Sequence, residues 1–143
     1  MFFIYIAVYL ILFVSVFTDI KSLRIPYSIV ASAGFISTIF IIYEMVNGSI
    51  TWSQIAYALL PGIALIVTSF ITRQSVGYGD GLMMLAVGPI FGSSHMVFGV
   101  CLAFFISAIF SLVMMVFRKA DNRTRFPFMP FLTVALGVSQ FAI

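Results

Sequence analysis

The sequence predicts an all-α fold, a polytopic membrane helical bundle of about six transmembrane helices, and three observations carry that prediction. Of 143 residues, 63% are hydrophobic and only 8% are charged, whereas a soluble domain carries about a quarter charged residues. Mean hydropathy is +1.22, which also excludes a disordered chain, since disorder needs low hydrophobicity and high net charge. All seven Lys and Arg residues fall in alternate connections between apolar runs. A span uses about 20 residues, so six spans leave little beyond short loops. We therefore expect residues 1–143 to form one membrane-embedded domain with no separate soluble domain.

Apolar runs separated by polar or Pro/Gly interruptions place the spans at about 2–18, 28–46, 54–72, 80–92, 95–117 and 127–143. The opening stretch MFFIYIAVYLILFVSVFT lacks the basic start and small-residue cleavage site of a signal peptide, so it is retained as the first span. The second follows Pro26 and stops before Asn47-Gly48. The third holds Pro61-Gly62 at its middle, where a missing backbone hydrogen bond permits a kink. The fourth is short and contains Gly88 and Pro89; with the fifth it can instead form a bent hairpin or one long kinked helix. The sixth opens on Pro127 and Pro130. The lone Cys101 sits in an apolar run, where it has no partner for a disulfide or a four-thiolate zinc site, and is expected to be a small buried hydrophobe. The eight Met and seventeen Phe residues are expected to face lipid or fill the bundle.

Orientation follows from the basic residues, because cytoplasmic loops retain positive charge. Lys21 and Arg24 lie in the first connection, Arg73 in the third, and Arg118, Lys119, Arg123 and Arg125 in the fifth; the connections near 47–53 and 93–94 have none. Six spans then put both termini outside and the basic loops in the cytoplasm. The net charge of +3 is thus a topological signal. Without interleaved aromatic and basic residues these loops make a poor nucleic-acid platform, and no nucleic-acid partner is expected. They can rest against anionic lipid headgroups, at about 1 kcal/mol per basic residue.

Only four acidic residues occur, Asp19, Glu44, Asp80 and Asp121, and a carboxylate at bilayer depth is costly and usually marks function. Glu44, beside Tyr43 at the outer end of the second span, reads as an interfacial side chain reaching water. Asp121 lies in RKADNRTR and reads as a solvated ion-pair partner. Asp19 ends an outside-to-inside helix and Asp80 begins an inside-to-outside one, so the two reach the same cytoplasmic depth and can meet. Asp80 stands in Gly77-Tyr78-Gly79-Asp80-Gly81, where glycines let the backbone leave helical geometry and admit an extended peptide. Two facing carboxylates cannot both ionise comfortably, so they share a proton: one activates a water while the other donates to the scissile carbonyl. Helix dipoles would give the base role to Asp80 at a helix start and the donor role to Asp19 at a helix end. His95 is alone on the opposite face, so no metal site or cofactor is expected. Ser107 and Ser111 are spaced to support helix packing. The rival readings are a small proton- or cation-coupled transporter or channel subunit using the same aspartates, and a scaffold protein of a secretion system.

Three stretches resemble the type IV prepilin peptidases, the GxGD class of membrane aspartic proteases. They are DIKSLRIPY from Asp19, with Arg24 and Pro26; GYGDGLMMLAVG from Gly77; and FPFMPFL from Phe126, with Pro127 and Pro130. Tyr27 stands where the family often has Asn, Leu82 where it often has Lys, and Met129 where Gly is usual; none of these removes a carboxylate. The resemblance implies Asp19 and Asp80 as the catalytic pair, Gly77, Tyr78, Gly79 and Gly81 as substrate-binding, and a hydrolase without cofactor. It further implies a prepilin or pseudopilin substrate with a short basic leader, cut at the cytoplasmic face of a bacterial or archaeal cytoplasmic membrane. The paired cysteine motifs of the bifunctional members are missing, so the chain resembles the short peptidase-only form found with tight-adherence pili or competence pseudopili. Oligomeric state is left open.

Overall fold

The computed structural model describes residues 2–22, 25–71, 77–117 and 127–142. These form α1 (Phe2–Ser22), α2 (Tyr27–Val46), α3 (Trp52–Ile71), α4 (Tyr78–Val116) and α5 (Met129–Ala142), with no strand among the described residues. The first four are long and apolar enough to cross a membrane, and α5 is a shorter apolar helix.

Local chemistry sets the helix starts. Pro26 is the N-cap of α2 at φ −60°, ψ 137°, and its carbonyl accepts the Ile29 N–H at 3.0 Å; its fixed φ suits the entry to a helix and its missing N–H costs nothing there. At the start of α3 the Gln54 side chain reaches back to Thr51, its oxygen accepting the Thr51 N–H at 2.9 Å. Helix α3 continues through Pro61, so the kink that proline permits does not divide the helix.

The fourth and fifth expected spans are one 39-residue element, α4, broken at Gly92, whose φ of 78° and ψ of 166° lie outside helical space. Unbroken, that length would extend about 58 Å, roughly twice the hydrocarbon thickness of a bilayer. Pro89 lies one turn before the break and removes a further helical hydrogen bond. The two arms, 78–91 and 93–116, run in opposite directions. The first arm ends beside the start of α1, where the Tyr5 hydroxyl donates to the Ile90 carbonyl at 3.3 Å and Tyr9 meets Phe91 edge-on at 5.7 Å. The second arm starts where α5 ends, at His95 and Ser139, and returns to Phe128 through Phe104. The break at Gly92 thus falls at the boundary between the fourth and fifth spans expected at about 80–92 and 95–117.

The first arm of α4 is the centre of the bundle, buried at Asp80, Gly81, Met83, Met84 and from Ala86 through Phe91. Between helices in lipid, small residues drive close approach because apolar surface gains nothing by leaving lipid tails. The α3–α4 seam follows that rule: a Cβ on Gly88 would lie 2.5 Å from the Ala58 carbonyl oxygen, and one on Gly62 would lie 2.8 Å from the Leu85 nitrogen. The second arm uses Met96, Gly99 and Ala103 as its buried face, with Gly99 against Leu136 of α5. Cys101 lies off that face and is exposed, so the expectation of a buried thiol is corrected. Large side chains such as Phe3, Phe35 and Phe141 are exposed on the periphery. Arg24, Arg73, Arg118, Lys119, Asp121, Arg123 and Arg125 lie outside the described residues.

Candidate active site

Asp19 sits in the last turn of α1, which runs one turn further than the sequence suggested. It closes an inward stripe of Val8, Leu12, Ser15 and Asp19, all buried, at the three- and four-residue spacing of one helix face. Its Oδ2 accepts the backbone N–H of Met129 at 3.0 Å, linking residues 110 apart in sequence. That N–H opens α5, where the first donors of a helix have no partner within it. Pro127 and Pro130 bracket Met129 and have no N–H of their own to offer.

Asp80 is the third residue of α4, and its N–H donates to the Gly77 carbonyl at 3.1 Å. Its carboxylate folds back over Gly77, so closely that a Cβ there would lie 2.5 Å from Oδ2. Asp19 and Asp80 are 5% and 7% exposed, the two buried acidic side chains among the described residues, and are near enough for their charges to act on each other. Two helices well separated in the sequence, α1 and α4, thus deliver the carboxylates to one end of the bundle.

The surrounding motif residues take separate places. Gly77 is the exposed N-cap of α4, with extended φ −63° and ψ 115°. Tyr78 is half-buried and meets Phe70 of α3 edge-on at 5.7 Å. A Cβ on Gly79 would lie 3.3 Å from Ile25, which brings the segment before Pro26 alongside the aspartates. A Cβ on Gly81 would lie 2.7 Å from Ile66. The stretch expected to leave helical geometry is helical from Tyr78 onward; its glycines admit neighbouring helices, because three elements converge here.

The Met129 N–H is the site group that sequence reasoning missed. A main-chain donor leaves no residue signature, and the paired prolines around it were its only trace. It also changes the dipole reasoning. Asp19 ends α1 but lies against the first turn of α5, so both carboxylates face the positive end of a helix and the dipoles no longer separate base from donor. Among the described residues no three His, Cys, Asp or Glu side chains come together as metal ligands.

The model of the type IV leader peptidase family matches residues 6–112. The chain belongs to the type IV leader peptidase family. The matched residues contain Asp19 and Asp80 and end in the second arm of α4, so Pro127, Met129 and Pro130 lie beyond them. No curated protein and no solved structure matches the chain. Family and apolar helices together make this leader peptidase relative a multi-pass membrane protein.

Proposed function

We propose that this member of the leader peptidase family is a membrane aspartic endopeptidase that removes the short basic leader of prepilin-like or pseudopilin-like substrates. The observation that supports the proposal is that two buried carboxylates, Asp19 and Asp80, lie at the same end of the bundle. One carboxylate takes a proton from a water whose oxygen bonds to the scissile carbonyl carbon; the other donates a proton, and collapse breaks the C–N bond with the amine leaving protonated. The pair is assigned these roles as a unit, since both carboxylates lie at a helix N-terminal turn. The extended, exposed backbone at Gly77 offers an edge beside Asp80 along which a substrate segment can lie. Burial of the pair within apolar helices limits water to what the site admits.

The catalytic side is proposed to be cytoplasmic, with both termini outside, because the basic residues occupy alternate connections. The family membership supports leader removal as the reaction class. The test is co-expression with a candidate prepilin, following leader removal on a gel, with Asp19→Asn and Asp80→Asn as controls. Cleavage by the parent and none by either variant is expected; cleavage surviving both would sink the dyad. A periplasmic reporter fused after Arg123 is expected to be silent.

A further inference from the structure

The end of the bundle opposite the aspartates holds a cavity of about 410 Å3 that peptide hydrolysis does not use, within the range of about 300–1,000 Å3 typical of small-molecule sites. The last turn of α2, the start of α3 and the break in α4 border it as an open cleft. Glu44 and His95, each isolated in the sequence, line this one cavity together with Gln54, Ser93 and Ser94.

Its hydrogen-bonding groups can be assigned in turn. Glu44 brings a carboxylate, and no Lys or Arg occurs at residues 25–72 or 74–117 to neutralise it. The His95 Nδ1 lies 3.0 Å from the Ser139 carbonyl oxygen; a carbonyl only accepts, so Nδ1 carries a hydrogen and Nε2 is the ring's remaining polar atom. The Gln54 side-chain oxygen is already engaged by the Thr51 N–H at 2.9 Å and hydroxyl at 3.1 Å, which leaves its amide N–H groups as donors. Ends of helices of both kinds meet here, the carbonyl ends of α2 and of the first arm of α4 and the N–H ends of α3 and of the second arm, which gives partial charges of both signs. The Glu44 carboxylate selects a cation that can donate N–H groups to it, while the Gln54 amide and the serine hydroxyls suit an anion attached close to that cation.

We propose that this cavity binds a primary alkylammonium group carried next to a phosphate, the chemistry of a phosphoethanolamine, with Glu44 as its counter-ion. The same chemistry comes from an aminophospholipid headgroup or from a free phosphoethanolamine. The proposal is independent of the peptidase reading and is read out by binding. Thermal unfolding of the purified full chain is measured in detergent micelles doped with phosphatidylethanolamine, phosphatidylcholine or phosphatidylglycerol at equal mole fraction, and separately with O-phosphoethanolamine. Phosphatidylethanolamine is expected to raise the melting temperature by a few degrees above the other two lipids, since phosphatidylcholine lacks N–H donors and phosphatidylglycerol lacks the cation. A matching shift with O-phosphoethanolamine identifies the free compound as a ligand; a shift with the lipid alone identifies the headgroup in the bilayer. Glu44→Gln should abolish the preference and Glu44→Asp should keep part of it. Equal shifts with all three lipids, or a preference that survives Glu44→Gln, overturns the proposal.

Discussion

Met129 donates its backbone N–H to Oδ2 of Asp19 at 3.0 Å, tying the first turn of α5 to the last turn of α1. A carboxylate proposed for catalysis is therefore also the acceptor that completes a helix start. Substituting it has two consequences, which different side chains separate.

Asp19→Asn keeps an oxygen that can accept from Met129 but loses the acid–base function. Its cleavage rate should fall by at least about 100-fold, with a melting temperature close to that of the parent. Asp19→Ala removes both and should also lose about 1 kcal/mol of stability, the usual cost of a deleted helix cap. Cleavage on a gel and thermal unfolding in detergent measure the two effects. An Asp19→Ala protein as stable as the parent would remove the capping role.

Gly77→Ala should impair the reaction more than the fold. The new Cβ would stand 2.5 Å from Oδ2 of Asp80, so the carboxylate must turn away. The backbone at φ −63° accepts alanine without strain. Displacing a reacting group by about 1 Å costs about 100-fold in rate, so cleavage should drop by that order while the melting temperature barely moves. Unchanged cleavage would show that the observed Asp80 rotamer is not the working one.

Two further glycines should fail for unlike reasons. Gly88→Ala puts a Cβ 2.5 Å from the Ala58 carbonyl oxygen, a backbone atom that cannot swing aside, and should cost about 1–3 kcal/mol by forcing α3 and α4 apart. Gly92→Ala meets nothing within 4 Å, but its φ of +78° belongs to glycine, and about 1–3 kcal/mol of backbone strain is expected. Reducing bulk around Gly88, for example with Ala58→Gly, leaves the carbonyl in place and should not rescue the first; no neighbouring change should rescue the second. Unfolding in detergent distinguishes these outcomes.

By itself the sequence determined the class of the molecule and the approximate spans. These follow from hydropathy and from glycine and proline placement, properties that accumulate along a segment without reference to what it touches. Hence α2 and α3 match their expected spans within two residues. Tertiary structure alone decided what depends on direction and neighbours. Pro89 and Gly92 were visible as breakers, but only the positive φ at Gly92 turns the two arms into a hairpin and makes the first arm the buried centre. Cys101 is exposed because the second arm turns its Gly99 and Ala103 face to α5, an angle that apolar composition does not encode. Gly79 and Gly81 are helical and closely approached by Ile25 and by Ile66 of α3, while Gly77 alone is extended. The Met129 donor belongs to the main chain and carries no residue label, and the union of Glu44 with His95 arises from helices packed side by side, across a separation in sequence that no local pattern spans.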